Sequence, residues 1–416
     1  MKKLITLLLV LTGCVGTMSA TDYYAVGMLE FIGAQWDTSY APAKMTTSDN
    51  DNYSVTFSNV FLQKSWTYKY QVHNGSSWLP GSDQTFSVNN SGFYNVTISY
   101  KVSTNAVSSS LTHIADSGSA LFVRGSMISG TNSSWDKDYP QYRVIDNQVT
   151  IDASGISEDI EIKWKWTDGS NWGGVPTSAY TVTNGIASNV AWDFNNDYKN
   201  IVLPQSTLKC AKYVITINTT DKQFSVQGYE KATTNGSGFA TFVNTNPLTI
   251  PATTAYYATD NGNGTAVAHS MTNPVAGTAM LIKGDNSTPY YFPLAASGTD
   301  DPDNNAFKAG TSTTATDGLA SNPSSGVYNY VLNGNTFKAA NDKKVAVGKA
   351  YLQLSAAAPT NSPVLTFIDD FTTGISSSLK NNEEITNKNV YDLQGRRVVQ
   401  PKKGLYIMNG KKIVLK

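Results

Sequence analysis

Hydrophobic and polar residues alternate in short runs along most of the chain. Such runs occur at residues 53–57 (YSVTF), 94–98 (YNVTI), 213–217 (YVITI) and 224–226 (FSV), with polar turns between them. No long stretch has apolar residues at helical spacing. Because alternate residues of a strand face opposite sides of a sheet, this pattern indicates strands with one buried and one wet face. The sequence therefore predicts an all-β fold of tandem antiparallel β-sandwich domains.

An internal repeat divides the first half of the chain. The segment YAVG at 24–27 recurs as FVRG at 122–125, and WDTSY at 36–40 recurs as WDKDY at 135–139. A third pair aligns residues 68–78, which end in GSSW, with residues 162–172, which end in GSNW. The three pairs of segments occur in the same order, and the difference in residue number between the two members of a pair varies only slightly. Two copies of one module with loops of different length would give this pattern. We place the two modules at residues 21–115 and 116–230.

The remainder of the chain has a different amino-acid composition. Residues 231–370 are rich in Ala, Thr and Asn and are assigned to a third β-domain, which is followed by a linker at 371–388. The acidic segment 300–305 (DDPDNN) lacks the spacing and closing Glu of a calcium loop, so a solvated loop is favoured over a metal site. Residues 389–416 alternate around glycine turns and predict a small β-unit.

The first twenty residues have the pattern of an export signal. Two lysines precede an apolar run at 4–11, which is too short for a stable membrane anchor, and small residues follow up to Ala20. Cleavage after Ala20 is favoured, although residues 11–14 (LTGC) also match a lipobox ending at Cys14. No later apolar run is long enough to cross a membrane. If Cys14 leaves with the signal, Cys210 stands alone and no intramolecular disulfide is possible.

The C-terminal end is basic although the whole chain has a formal net charge of zero. Eight Lys or Arg lie from Lys388 onward against the single acidic residue Asp392. Charge alone is compatible with a nucleic-acid or membrane patch. The segments YDLQGR at 391–396, KGLYI at 403–407 and NGKK at 409–412 instead resemble the C-terminal sorting domain of type IX secretion cargo in Bacteroidetes. That resemblance implies export to the cell surface or outer membrane, or secretion, with the secretion machinery as a partner, and the third domain resembles one that often precedes this tail.

Residue types that support catalysis are scarce. His73, His113 and His269 are isolated, and there is no HExxH, GxSxG, glycine-rich phosphate loop or Cys/His cluster. We therefore expect no enzyme activity, no cofactor and no metal.

Alternation on the repeated strands separates inward from outward residues. In the first module it places Trp66, Tyr68, Tyr70 and Val72 on the core face, with Thr67, Lys69 and Gln71 on the other. In the second module Ile160, Ile162, Trp164 and Trp166 share the core face and Glu161, Lys163 and Lys165 the other. Lys69 and Lys163 are thus equivalent outward lysines.

Four further tryptophans lie in predicted loops or turns. Trp36 and Trp135 each precede an Asp, and Trp78 and Trp172 each follow a polar turn. Exposure of a large apolar side chain such as tryptophan to solvent is unfavourable and often marks a binding site. Sugars present flat C–H faces that stack on such rings. The same residues would also be kept for packing in any duplicated sandwich, so both interpretations stay open here, and Trp192 is left unassigned.

The spacing of Trp, outward Lys and a second Trp resembles glucan-binding modules, in which two tryptophans cradle a helical glucan. Two such modules at an outer surface also resemble the SusE/SusF starch-binding proteins. The resemblance implies immunoglobulin-like or carbohydrate-binding-module-like sandwiches and an α-glucan as partner. By position it assigns carbohydrate binding to Trp36, Lys69, Trp78, Trp135, Lys163 and Trp172. A companion asparagine has no clear counterpart, with Asn89, Asn90 and Asn195 as candidates.

Two functions therefore compete at this level. The leading hypothesis is a non-catalytic surface or secreted glycan-binding protein for a starch-like α-glucan. The alternative is a structural or adhesive surface protein in which the tryptophans are buried. The exposure of Trp78 and Trp172 discriminates between them.

Overall fold

The computed structural model describes residues 21–127, 135, 138–169, 171–176, 178–195, 197–311, 319–360 and 362–368, together with 377–379, 390–391, 398, 404–408 and 411–415. Across these residues the chain is built almost entirely from β-strands in several mainly antiparallel sheets, which confirms the predicted all-β class. Two one-turn helices interrupt them, α1 (Leu29–Ile32) and α2 (Gln205–Leu208). No helix among the described residues is long and apolar enough to cross a membrane.

Contacts divide the chain into two compact units. Unit 1 comprises residues 1–149, 163–173 and 194–196, and unit 2 comprises residues 150–162, 174–193 and 197–416. The predicted module limits near 115 and 230 are not tested by this division and stay predictions.

Unit 1 begins with a β-sandwich. Its strands are β1 (Tyr24–Gly27), β2 (Thr46–Thr47), β3 (Asn52–Leu62), β4 (Tyr68–His73), β5 (Trp78–Phe86), β6 (Gly92–Lys101) and β7 (Ala106–Asp116). One sheet has the order β1-β4-β5 and the other β2-β3-β6-β7. Burial alternates along β6, as the period of two requires, and Val96 and Ile98 are fully enclosed. The core between the sheets is strongly aromatic, with Phe31 of α1 edge-on to Phe57, Tyr68 and Phe86.

The next strands include the second copy of the repeat. They are β8 (Leu121–Gly125), β9 (Gln148–Asp152), β10 (Ile160–Trp166), β11 (Gly173–Gly174), β12 (Tyr180–Thr181), β13 (Ile186–Ala191), β14 (Asp193–Phe194), β15 (Ile201–Leu203), β16 (Lys212–Asn218) and β17 (Gln223–Thr233). Strand β8 pairs with β10, and Trp164 of β10 lies opposite Gly173 of β11. Antiparallel strands β16 and β17 pair along their length, and β13 flanks β17.

Two further sheets form a sandwich in unit 2. The strands in this part of the chain are β18 (Phe239–Val243), β19 (Ala255–Asp260), β20 (Thr265–Met271), β21 (Ala279–Lys283), β22 (Pro289–Pro293), β23 (Phe307–Ala309), β24 (Tyr328–Asn333), β25 (Thr336–Ala339), β26 (Ala350–Leu354) and β27 (Val364–Ile368), and all except β22 belong to the sandwich. The orders are β18-β21-β19-β20-β27 and β23-β26-β24-β25, around a core that includes Leu281 and Leu352. Strand β22 instead pairs with β17, which itself runs past position 230.

The C-terminal region forms a four-stranded sheet. Its strands are β28 (Ser377–Leu379), β29 (Val390–Tyr391), β30 (Gly404–Met408) and β31 (Lys411–Leu415), in the order β28-β31-β30-β29. Residues 377–379, which fall inside the predicted linker, thus belong to this sheet. The predicted signal at 1–20 lies outside the described residues.

Candidate functional site

Two tryptophans that are distant in sequence meet on the surface of the first module. The ring centroids of Trp36 and Trp78 are 6.0 Å apart, and their planes make an angle of 61°. Trp36 is half-buried, whereas Trp78 keeps 42% of its surface exposed. The two rings therefore form an angled aromatic platform rather than part of the core.

The loop after α1 positions Trp36. Gly33 ends α1 in the left-handed conformation with φ 95°, and the backbone N–H of Trp36 donates to the carbonyl of Gly27 at 2.9 Å. Trp36 itself has φ 53°, a conformation that L residues rarely adopt. Beyond it, the carboxylate of Asp37 accepts a hydrogen bond from the backbone N–H of Ser39 at 2.8 Å. The ring is thus carried by a loop whose backbone is hydrogen-bonded on both sides of it.

A tight hairpin turn positions Trp78 at the start of β5. The side-chain oxygen of Asn74 accepts from the backbone N–H groups of Ser76 and Ser77 at 3.1 and 2.7 Å. Gly75 supplies the positive φ that this turn needs, at 88°. Across the hairpin, the His73 ring meets the Trp78 ring with centroids 4.9 Å apart.

Polar side chains lie beside the platform in an open depression of about 620 Å³, which is lined by Trp36, Lys69, Gln71, Trp78, Gly81 and Asp83. The ammonium of Lys69 is 3.5 Å from the carboxylate of Asp83, and the Gln71 amide N–H₂ donates to the same carboxylate at 2.9 Å. Gln71 is only 8% exposed, and its amide oxygen accepts no hydrogen bond from any described residue. A buried acceptor without a partner is unfavourable, but this oxygen is enclosed by protein, so a ligand in the depression meets Asp83 and Lys69 rather than this atom.

These six residues are the first site. The structure brings together all three residues that the sequence assigned to the first module. It adds Gln71 and Asp83, which sequence reasoning missed as site residues. Gln71 shares the outward face with Lys69, so alternation was the available signal, whereas Asp83 reaches the site through an irregularity of β5 between the partners of Tyr70 and Val72.

The second module repeats the aromatic geometry. The ring centroids of Trp135 and Trp172 are 6.0 Å apart with an interplanar angle of 67°, and both rings are half-buried. We call this pair, with Arg124 and Lys165 that lie against it, the second site. The match to the first site in distance and angle indicates that the duplicated motif specifies the same ring arrangement twice.

Charged groups surround the second pair. The Arg124 guanidinium carbon is 5.5 Å from the Trp172 ring centroid, and the Lys165 ammonium is 5.0 Å from it. Arg124 also donates to the carboxylate of Asp138 at 2.6 and 2.9 Å and to the carbonyl of Trp135 at 3.4 Å. Burial raises the pKa of Asp138, with Arg124 and Lys165 acting in the opposite direction. Lys163, the lysine assigned by the sequence, is half-buried, and the lysine found over the ring is its neighbour on the same face, Lys165.

The structure corrects several tryptophan assignments. Trp66, expected in the core, is 39% exposed, because β4 begins only at Tyr68 and Trp66 lies in the preceding turn. Trp166, at the last position of β10, is half-buried rather than enclosed. Trp164 is fully buried as predicted, and the unassigned Trp192 is 3% exposed and belongs to a core.

The candidate asparagines differ in position. The backbone N–H of Asn195 donates to the carbonyl of Trp172 at 2.9 Å, which places Asn195 beside the second site. Asn89 and Asn90 do not line the depression of the first site.

Titratable residues elsewhere have structural partners. His113 is 2.9 Å from Asp116, and His269 is 3.0 Å from Thr259. Asp300, in the acidic segment, accepts from the backbone N–H groups of Thr272 and Asn273 at 2.9 and 2.8 Å. Among the described residues, no group of three or more His, Cys, Asp or Glu is placed to hold a metal ion.

No protein-family model matches the chain, and no curated protein matches it either.

Proposed function

We propose that this is a non-catalytic glycan-binding protein whose first site takes a neutral α-glucan such as starch, and whose second site takes a second glycan segment. The observation that supports this most is the repeated tryptophan pair, with equal centroid distances of 6.0 Å in the two modules. Packing alone does not require the more exposed ring of the first pair to remain 42% accessible beside a polar depression.

The chemistry of the first site suits a sugar. Angled indole rings offer apolar faces to the C–H face of a pyranose, and a curved or helical glucan chain presents successive rings at an angle. Lys69 supplies hydrogen-bond donors, while the carboxylate of Asp83 supplies acceptors for sugar hydroxyls. The alternative function, a spacer or adhesin with buried tryptophans, is less compatible with the exposure of Trp78.

The sequence resemblances extend this proposal to location. An N-terminal export signal and a C-terminal sorting domain of the type IX kind would place the protein at the cell surface or outside the cell, where polymeric glucans are met. Fractionation of the native host with mass measurement of the exported chain tests this part, since loss of residues 1–20 is expected and an intact cytoplasmic chain would contradict it.

Affinity electrophoresis of the intact protein tests the binding function. Gels contain starch, glycogen, a β-glucan or no polymer, and we expect retardation in starch and glycogen. Trp78→Ala should weaken starch retardation at least about tenfold in apparent Kd, the effect of losing a central aromatic anchor. A double substitution of Trp78 and Trp172 should abolish retention of every glycan.

Trp66→Ala is the matched control. Trp66 has nearly the same exposed fraction as Trp78 in the same module, 39% against 42%, but lies outside the first site. Its loss should leave retardation unchanged. Equal migration of the wild type and Trp78→Ala in all four gels would contradict the proposed glucan-binding function.

A further inference from the structure

The two sites have the same aromatic geometry but different surrounding charges. The repeat aligns Gln71 with Lys165, and Val26 with Arg124. At the first site these positions hold a neutral amide and a fully buried aliphatic side chain. At the second site both positions hold cations, and both cations lie within 5.5 Å of the Trp172 ring centroid.

The two cations at the second site have different roles. Arg124 is nearly buried, with 11% of its side chain exposed, and its N–H groups are directed to Asp138 and to the backbone carbonyl of Trp135. Because it contacts the Trp135 loop and the Trp172 ring together, Arg124 is a positioning residue that fixes the angle of the pair. The carboxylate of Asp138 offsets the positive charge of Arg124.

Lys165 is the second cation beside the ring, and it also interacts electrostatically with Asp138. Its ammonium lies 5.0 Å from the Trp172 centroid, and it forms no salt bridge in the part of the chain that the structure describes. A cation over an indole gains only about 0.5–1 kcal/mol at an accessible site. A sugar that stacks on that ring must displace the ammonium or offer it an acceptor. A neutral hydroxyl offers an ordinary hydrogen bond, whereas a carboxylate or sulfate offers a stronger, charge-assisted one.

We propose that the second site selects an acidic glycan, with a sugar carboxylate or sulfate paired to Lys165 while the sugar ring stacks on the exposed surface of the Trp135 and Trp172 pair. This inference rests on the proposed function, because it takes the tryptophan pairs to be sugar sites. It assigns the two modules different ligands: a neutral glucan at the first and an acidic polysaccharide at the second.

Matched polysaccharides separate charge from sugar backbone. The intact protein is run in gels containing polygalacturonate or its fully methyl-esterified form, and dextran sulfate or dextran. We expect retardation by polygalacturonate and not by the ester if the anion is a carboxylate, and by dextran sulfate above dextran if a sulfate is accepted as well. Lys165→Gln, which installs the residue type of the first module, should weaken retardation by the acidic polymer about tenfold, because a charge-assisted contact is lost.

Variants of the two tryptophan pairs, and a lysine introduced at the first site, test which site binds which polysaccharide. Trp172→Ala should remove retardation by the acidic polymer and keep that by starch, whereas Trp78→Ala should do the reverse. Gln71→Lys should give the first site measurable affinity for polygalacturonate. Lys222→Gln, which removes an exposed lysine paired with Asp193, controls for loss of a positive charge.

The outcomes keep the two proposals apart. Starch retardation that depends on Trp78, together with acidic-polymer retardation that Lys165→Gln leaves unchanged, overturns this inference and leaves the proposed function standing. Retardation by polygalacturonate that depends on Lys165 and Trp172, without any by starch, supports this inference and removes the neutral glucan. Equal effects of Lys165→Gln and Lys222→Gln would show a general charge effect and overturn it.

Discussion

At the first site, Gln71 holds the carboxylate of Asp83 beside the depression. Its amide N–H₂ donates to Asp83 at 2.9 Å, which fixes the orientation of the amide and turns its oxygen away from that carboxylate. The oxygen is enclosed and has no partner among the described residues. If the first site binds a glucan, we therefore expect Gln71 to support binding through the position of Asp83.

Replacing Gln71 by Ala tests this role. We expect starch affinity to fall by about threefold to tenfold, the range for one neutral hydrogen bond of about 0.5–1.5 kcal/mol. Titration calorimetry with a maltooligosaccharide measures the change. Thr67→Ala, which alters an exposed polar residue close by on the chain, serves as the control. An affinity within twofold of the wild type for Gln71→Ala would show that binding does not depend on the contact between Gln71 and Asp83.

At the level of single strands, alternation predicted buried and exposed faces well where pairing is regular. The runs at 94–98 and 213–217 lie within β6 and β16, and burial alternates along both strands. The prediction failed for Trp66 because alternation says nothing about where β4 begins. It also could not reveal Asp83, because the shift in register opposite Gln71 is a property of two paired strands and not of either sequence.

Strand β11 shows why a glycine directly follows Trp172. Gly173 pairs with Trp164 of β10, whose indole is fully buried directly against it. A Cβ at position 173 would overlap that indole. The close approach of the two strands therefore requires glycine, and Trp172 is carried on the residue directly before it.

Gly173→Ala should accordingly destabilise unit 1. Overpacking of this kind costs about 1–3 kcal/mol, and the second tryptophan pair should be displaced with it. Urea unfolding followed by tryptophan fluorescence, together with retardation by polygalacturonate, measures both effects. Gly118→Ala is the matched control, because a Cβ there meets no atom within 4 Å. Equal midpoints for the two variants would contradict the close packing described here.

The turn around Asp300 predicts a pH dependence in unit 2. Partial burial favours the neutral acid, but hydrogen bonds from Asn273, Thr272 and Thr299 outweigh it and lower the pKa of Asp300. A carboxylate with a lowered pKa stabilises the fold at pH values above the ordinary Asp pKa of about 4. This stabilisation is lost as the pH falls through the pKa that the carboxylate has in the folded protein. Stability from Asp300 is therefore present at neutral pH and absent in strong acid.

Substitution of Asp300 by Asn should lower the urea midpoint at pH 7 and have a much smaller effect at pH 2.5. Asp301→Asn, at the exposed neighbouring position, is the control and should change neither midpoint appreciably. An undiminished difference between wild type and Asp300→Asn at pH 2.5 would show that the carboxylate charge is not what the turn requires.

At the level of the molecule, sequence repetition predicted the duplicated tryptophan pairs but not the different charges beside them. The alignment of Lys69 with Lys163 suggested equivalent sites, whereas the spatial neighbours of Trp172 are Arg124 and Lys165. Val26 and Arg124 occupy matching positions in β1 and β8, yet only the folded chain shows that the second reaches the aromatic pair. Equivalent positions in a repeat thus kept the ring geometry while the charges beside it diverged.

Both tryptophan pairs belong to unit 1. Under the two proposals, one compact unit would therefore carry two sites with different ligands. Such a body should bridge two polysaccharides rather than gain avidity on one, because each site takes a different chain. Starch granules incubated with the protein and fluorescent polygalacturonate should therefore pellet the label. Salt should release the label while the protein remains on the granules, since only the acidic contact is strongly screened. Trp78→Ala should lose both protein and label from the pellet, and Lys165→Gln only the label. Pelleting of the protein without label, under conditions where polygalacturonate alone binds it, would mean that the two ligands exclude each other and that the pairs act as one site.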